Sequence, residues 1–242
     1  DLHSFPTRRS SDLIVCDGKV IGEGYHVRCG DSHAEVNALA SVCDEHLPLL
    51  SMSTLYVSLE PCSHYGKTPP CADLIVAKGL RRVVVGCVDP NEKVCGRGIA
   101  KLRSAGIDVT VGCEEEACRE LNRVFFTFHA LHRPYVTLKW AQSKDGLTAG
   151  LSTDGKPCRT LISNPFTRMR AHRLRSMHQA ILVGSRTLLT DRPLLTTRYW
   201  TGRSPQPFVL THRTPDLPEG WQTAMGSPAE ILNMLHDKGI QS

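Results

Sequence analysis

Short apolar runs with two different periods divide the chain. Ile14–Cys16 and Val20–Tyr25 flank Asp17-Gly18, which predicts a β-hairpin with a two-residue turn. Val36, Leu39 and Ala40 share one face of His33–Cys43, a predicted helix that Asp31 or Ser32 is placed to cap. Thr54–Leu59 reads as a strand, and Pro69–Lys78 as a helix with prolines at its start and Gly79 just past its end. Arg82–Cys87 is a continuous apolar run after its first residue, which predicts a buried, parallel strand. A helix over Gly98–Ser104, a strand over Ile107–Val111 and a long helix over Glu114–Leu131 follow. The last has three acidic residues in its first turn, where the helix dipole favours them.

Strands and helices alternate in this way from residue 33 to 131, which argues for an α/β layered sheet. Arg133-Pro134 breaks the pattern and sets a domain boundary, giving domains over 14–132 and 133–242. The second part opens with a predicted strand, Tyr135–Trp140, and a polar loop over about 143–156. Asn164-Pro165 opens a helix to about Met177, and strands follow at Gln179–Val183 and Pro207–Leu210. Residues 1–13 show neither helical nor strand periodicity. They read as a non-native segment, a translated sequencing adapter, and are set aside from the fold.

Composition narrows the class. With 40% hydrophobic and 22% charged residues the chain has the make-up of a soluble globular protein. No apolar run approaches the roughly 20 residues of a transmembrane helix. A net charge of +5 suits phosphate-bearing ligands, but no basic run interleaved with aromatics points to nucleic acid. The ten cysteines are scattered rather than packed into a disulfide framework, which fits a reducing, cytoplasmic compartment with some thiols holding metal.

The chemistry concentrates in two short stretches. His33-Ala34-Glu35 stands at a helix start, and Pro61-Cys62 is followed after eight residues by Cys71. One imidazole and two thiolates are three zinc ligands with a fourth position open, the arrangement of a catalytic rather than a structural site. Zinc lowers the pKa of a water in that position to near neutrality. Glu35 is not needed as a ligand and is free to take the water proton and pass it to a leaving amine. Taken singly, His33 reads as a capping or core histidine and the cysteines as buried thiols. Together, in this order and at helix starts, they follow the zinc-deaminase pattern of His-x-Glu then Pro-Cys-x-x-Cys, with the inter-cysteine loop lengthened.

Longer stretches are more specific. They are Gly24-Tyr25-His26, His33 through Ala38, Glu60 through Ala72, and Asp89-Pro90-Asn91. In the second part they are Arg133 through Lys139, Ser143 through Gly146, His172 through Arg175, and Ala180 through Gly184, with Thr187, Asp191, Pro193 and Leu195 through Arg198 beyond. Over about residues 14–212 the chain resembles the bifunctional riboflavin-biosynthesis deaminase/reductase family. The resemblance implies a cytidine-deaminase-like α/β/α layered domain followed by a dihydrofolate-reductase-like α/β domain. The first would deaminate 2,5-diamino-6-ribosylamino-4(3H)-pyrimidinone 5′-phosphate with Zn2+. The second would reduce the ribosyl group to ribityl with NADPH.

Within the deaminase part, His26, His64, Lys67 and Asn91 are the expected substrate contacts. Lys67 offers a point charge to a phosphate or ring carbonyl, and Asn91 an amide that reads a pyrimidine edge. In the reductase part the resemblance carries over Ala141, Thr187 and Asp191 as NADP contacts, and Arg175, Leu195 and Arg198 as substrate contacts. About 110 residues follow Arg133, so the reductase domain is expected to be incomplete and its activity impaired. The expected partner is a small phosphorylated pyrimidine, with neither nucleic acid nor membrane; a homo-oligomer stays open. Two alternatives remain open as well: another zinc nucleobase or nucleoside deaminase, and a non-catalytic zinc-stabilised module.

Overall fold

The computed structural model describes residues 11–26, 31–65, 69–91, 94–158, 160–212 and 216–242. The chain divides after Leu131 into two compact units. The first contains β1 (Ser11–Cys16), β2 (Lys19–Tyr25), α1 (Ala34–Ala40), a 3-10 helix (Asp44–Met52), β3 (Thr54–Leu59), α2 (Cys71–Ala77), β4 (Arg82–Cys87), α3 (Arg97–Ser104), β5 (Asp108–Val111), α4 (Glu115–Leu121) and α5 (Arg123–Leu131). Its five strands lie in the order β2-β1-β3-β4-β5. β1 is antiparallel to β2 and β3, while β3, β4 and β5 are parallel.

The hairpin expected at Asp17-Gly18 is present. Both residues take positive φ (48° and 74°), the backbone a two-residue turn needs to match strand twist. The strand begins earlier than expected, however, because Ser11–Leu13 belong to β1 and pair with Tyr25, Gly24 and Glu23. The polar Ser-Ser-Asp hid this from the apolar pattern; the ladder is made by backbone groups, which do not depend on side-chain type. Leu55, Val83 and Val85 from the parallel strands meet Ala38, Ile75 and Leu102 from α1, α2 and α3 in one continuous core.

Two glycines in β2 let α1 approach the sheet directly. A Cβ added at Gly24 would sit 2.1 Å from the Ala38 nitrogen and 2.4 Å from the Ala34 carbonyl oxygen. This close approach fixes the helix whose start carries His33 and Glu35. Gly24→Ala is therefore expected to destabilise the first unit by about 2–3 kcal/mol or more, the scale of overpacking against backbone. Urea unfolding measures it; an unchanged midpoint would mean that α1 is not seated on β2.

The helix expected over Glu114–Leu131 is interrupted at Asn122. There the side-chain amide donates to the Cys118 carbonyl at 2.9 Å, in competition with the helix's own bonds.

The second unit contains β6 (Gly150–Leu151), β7 (Pro157–Cys158), α6 (Pro165–Ser176), β8 (Ala180–Gly184), α7 (Ser185–Asp191), β9 (Gln206–Leu210), β10 (Gln222–Ala224) and α8 (Pro228–Asp237). β10, β9 and β8 form a parallel sheet packed through Phe208 and Ala224 against Ile231 and Leu235 of α8. Asn164 caps α6 as expected, accepting from the Thr167 N–H at 2.8 Å. The strand expected over Tyr135–Trp140 does not form. Leu138 and Trp140 are exposed, and the Tyr135 N–H donates to the Gln241 carbonyl instead of to a strand. α8 had no counterpart in the expected elements, although Ser227-Pro228-Ala229-Glu230 forms a complete capping box at its start. Among the described residues no helix is long and apolar enough to cross a membrane.

Candidate metal and deamination site

Three chain segments of the first unit converge where β3 ends. His33 is the residue from which α1 starts, Cys62 follows β3 by way of Pro61, and Cys71 opens α2. Local backbone bonds lock the last two together. The Cys71 N–H donates to the Cys62 sulfur at 3.3 Å, and the Ala72 N–H donates to the Cys62 carbonyl at 3.1 Å. On the other side, Asn37 donates to the Tyr25 and Ser32 carbonyls and so ties α1 to the end of β2.

The donor atoms fit a tetrahedral metal. His33 Nδ1 lies 3.5 Å from Cys62 Sγ and 3.3 Å from Cys71 Sγ, and all three donor atoms are within 4.8 Å of one another. Zinc bond lengths of about 2.0–2.1 Å to nitrogen and 2.3 Å to sulfur imply a tetrahedral N···S edge of about 3.6 Å. Among the described residues this is the single cluster of three His, Cys, Asp or Glu side chains with such spacing. Among the described residues no fourth donor completes the tetrahedron.

The metal-free electrostatics show how strongly these groups share protons. A hydrogen bond from the Cys71 thiol, helped by His33, holds the Cys62 thiol down to about 4. The same bond, together with burial, pushes the Cys71 thiol up. His33 is raised by its hydrogen bond to Cys62, against the effect of its own burial. Burial raises the carboxyl of Glu35, which is 6% exposed in the first turn of α1 and within hydrogen-bonding reach of Cys71. A carboxyl that readily holds a proton next to an open metal position is suited to proton transfer.

The expected substrate contacts are partly gathered. The His26 ring stands edge-on to His33 at 5.6 Å, and its Nδ1 donates to the Ser32 carbonyl at 3.1 Å. The Asn91 N–H donates to Asp89 Oδ1 at 2.7 Å, and His64, which is exposed, acts electrostatically on the same carboxylate. Lys67 lies outside the described residues.

Two buried carboxylates, Glu60 and Asp89, had no role in the sequence reading. Glu60 accepts from four backbone N–H groups, those of Asp89, Gly96, Gly98 and Ile99. Both residues stand in conspicuous motifs, but their partners are backbone amides, distant ones for Glu60, that leave no mark in side-chain types.

Burial, with the Glu60 carboxylate close by, pushes Asp89 from the ordinary 3.8 up to about 6. The folded state thus binds this proton more tightly than the unfolded chain, so its contribution to stability is full below about 4 and is lost as pH rises to about 6. Asp89→Asn keeps an oxygen for the Asn91 N–H and removes the titration. In the metal-free protein this variant is expected to overtake the parent between pH 4 and 6, ending about 1–3 kcal/mol more stable at pH 7. Urea unfolding across that range checks it; parallel profiles would contradict it.

In the second unit, Arg175 donates to the Thr196 carbonyl at 2.9 Å and Arg198 to the Thr196 hydroxyl at 3.2 Å. Burial and the neighbouring Arg198 both lower the pKa of Arg175, so two guanidinium groups stand close together. Leu195 is buried beside them with φ of 52°, and His172 is buried against Tyr199 at 4.7 Å. The three expected dinucleotide contacts are less gathered. Ala141 lines an open cavity of about 360 Å³ with Trp140, Ser163 and Asn164, whereas Thr187 and Asp191 lie on α7 and do not line it.

Comparison with known proteins agrees with both halves. Residues 11–87 match the family described as the cytidine and deoxycytidylate deaminase zinc-binding region, and residues 134–235 match the RibD C-terminal domain. The riboflavin biosynthesis protein RibD of Aquifex aeolicus is 46% identical over 210 residues, covering 86% of this chain and 56% of that protein. The Escherichia coli protein of the same name is 43% identical over 187 residues, 77% of this chain and 49% of its own length. The chain thus spans about half the length of the curated relatives it matches. Among solved structures, the Thermotoga maritima diaminohydroxyphosphoribosylaminopyrimidine deaminase/5-amino-6-(5-phosphoribosylamino)uracil reductase superposes with a TM-score of 0.83 at 33% identity, covering 98% of this chain and 73% of that one. Acinetobacter baumannii RibD gives 0.79 at 30% identity, covering 97% and 72%.

Proposed function

Because the chain belongs to the bifunctional riboflavin-biosynthesis deaminase/reductase family, we propose that residues 14–132 deaminate 2,5-diamino-6-ribosylamino-4(3H)-pyrimidinone 5′-phosphate. Residues 133–242 would then be part of the reductase. The observation that carries this is the donor triangle of His33, Cys62 and Cys71 with Glu35 buried beside it and outside it. Zinc bound by these three side chains supplies Lewis acidity and an acidified water at the open position.

The chain's own groups do the rest. Glu35 accepts a proton at its carboxylate as water oxygen attacks the amine-bearing ring carbon. It returns that proton to the departing nitrogen while the second water proton ends on the adjacent ring nitrogen, so that N=C–NH2 and water become HN–C=O and ammonia. His26 and Asn91 orient the ring, and His64 with Lys67 meets its carbonyl or phosphate. The α2 N-terminus, where Cys71 stands, favours the thiolate forms that bind metal.

For the second unit, the paired Arg175 and Arg198 beside Leu195 suit an anionic substrate group, because two guanidinium groups so close together favour a bound anion. Ala141, Thr187 and Asp191 keep their reading as NADPH contacts by resemblance. Thr187 and Asp191 do not line the cavity that Ala141 lines, so no reductive step is derived from them. The nine described cysteines are all free, which supports a reducing cytoplasmic setting.

The test is ammonia release by the zinc-loaded chain from the pyrimidine ribosylamino phosphate, beside cytidine, guanine and adenosine-containing tRNA. Selective release from the first is expected. Preference for another substrate would move the chain to a different deaminase class, and a zinc-loaded, folded protein inert on all four would support the non-catalytic module.

A further inference from the structure

Glu60 is 4% exposed, two residues before the ligand Cys62, and carries its charge into the interior at the end of β3. An isolated buried carboxylate costs several kcal/mol unless its oxygens are fully bonded. Among the described residues its partners are backbone amides rather than a cation. Oε1 accepts from Gly98 at 2.9 Å and Ile99 at 3.2 Å, and Oε2 from Gly96 at 2.9 Å and Asp89 at 3.2 Å. All four donors lie between the end of β4 and the first turn of α3. That segment contains Asn91 and has no side-chain cap of its own at Gly96.

Two glycines make the arrangement possible. Gly96 has φ of 77°, and a Cβ on Gly98 would meet the Pro61 carbonyl oxygen at 2.0 Å. The start of α3 is therefore pressed onto the main chain that leads directly to Cys62. One carboxylate spans the two sides of the site, the metal-ligand strand and the segment bearing Asn91.

We propose that Glu60 is a positioning residue, which holds Asp89 and the start of α3 (Gly96, Gly98 and Ile99) against the chain that leads to Cys62 and thereby sets Asn91 for the pyrimidine ring. It rests on the reading of Asn91 as a substrate contact given above. Glu60 need touch neither metal nor substrate. Its loss should loosen Asn91 through Asp89, whose N–H donates to Glu60 and whose carboxylate accepts from the Asn91 N–H.

Glu60→Gln is the sharpest variant, since it keeps the shape but turns one acceptor into a donor that faces N–H groups. Amide hydrogen exchange in the metal-loaded chain reads the clamp without reference to activity. Exchange is expected to rise about 5–100-fold at Asp89, Gly96, Gly98 and Ile99, the scale of one or two lost charge-assisted bonds. It should rise also at Asn91, with Val83–Val85 in β4 unchanged and zinc retained. In turnover the KM for the pyrimidine phosphate should rise about tenfold or more with kcat changed less, and Asn91→Ala should add little on top. If Glu60→Gln does not fold, Gly96→Ala substitutes for it. That variant has room for a methyl but strains the conformation that presents this N–H to Glu60.

Exchange confined to the directly bonded amides, with Asn91 unmoved, overturns the proposal. So do full multiplicative penalties for Glu60→Gln and Asn91→Ala. If the parent chain releases no ammonia while exchange at Asn91 responds as stated, the deamination reading fails and the clamp stands.

Discussion

Replacing Glu35 by glutamine is expected to leave one zinc per chain in place and to lower ammonia release by about 10²–10⁴-fold, the scale of a lost general acid–base group. Both halves of the result follow from position. Glu35 sits two residues after His33 on the first turn of α1, outside the triangle formed by His33 Nδ1 and the two sulfurs. Removing its charge takes away no metal donor. Its carboxyl is buried, and that burial raises its pKa, which suits it to proton transfer. Glutamine keeps the volume and one acceptor oxygen but cannot take up a proton. Metal analysis and an ammonia assay on the same sample decide the matter. Zinc lost together with activity would make Glu35 a ligand or a structural residue, and activity retained would remove it from the mechanism.

The second large effect concerns the metal itself. Cys71→Ser is expected to weaken zinc binding by more than about 100-fold, because losing even an outer partner of a ligand costs about 10–100-fold. Cys71 is 1% exposed, opens α2, and stands 3.3 Å from His33 Nδ1. Serine fills the same space, but its hydroxyl does not ionise to replace the thiolate. Ligand linkage adds a stability signature. Zinc at a free concentration one hundred times the parent's Kd should stabilise the parent chain by about 2.7 kcal/mol and so raise its Tm, and leave the variant nearly where it was. Competition with a chromophoric chelator and thermal unfolding with and without zinc provide the two readings. Equal zinc affinity in parent and variant would place the metal elsewhere.

The site was legible in the sequence because its chemistry is carried by rare side-chain types. An imidazole, a carboxylate and two thiols in a fixed order say what they can do before their geometry is known, and helix-start signals say where they stand. The Asp17-Gly18 turn was legible for a similar reason, since few residues tolerate the backbone it needs. What was hidden depends on backbone or on distant partners. Glu60 acts through amides up to 39 residues away. Ser11 and Asp12 join a ladder through groups every residue shares, so their polar side chains gave no signal.

Tyr135–Trp140 shows the converse. It has the alternation of a strand, but a strand exists only with a neighbour, and none of the ladders among the described residues includes it. The capping box at Ser227–Glu230 was readable and was missed. Of the residues expected to touch the reductase substrate, Arg175 and Arg198 meet at Thr196. Of the expected dinucleotide contacts, Thr187 and Asp191 share α7, while Ala141 lines a cavity that they do not line.

The central claim is an open, three-ligand zinc site, and X-ray absorption at the zinc edge of the metal-loaded chain addresses it most directly. The expected spectrum has two sulfur scatterers at about 2.3 Å and two lighter ones at about 2.0–2.1 Å, one being the His33 ring and the other exchangeable water. A shell closed by four protein donors, or one without the two sulfurs, would contradict it.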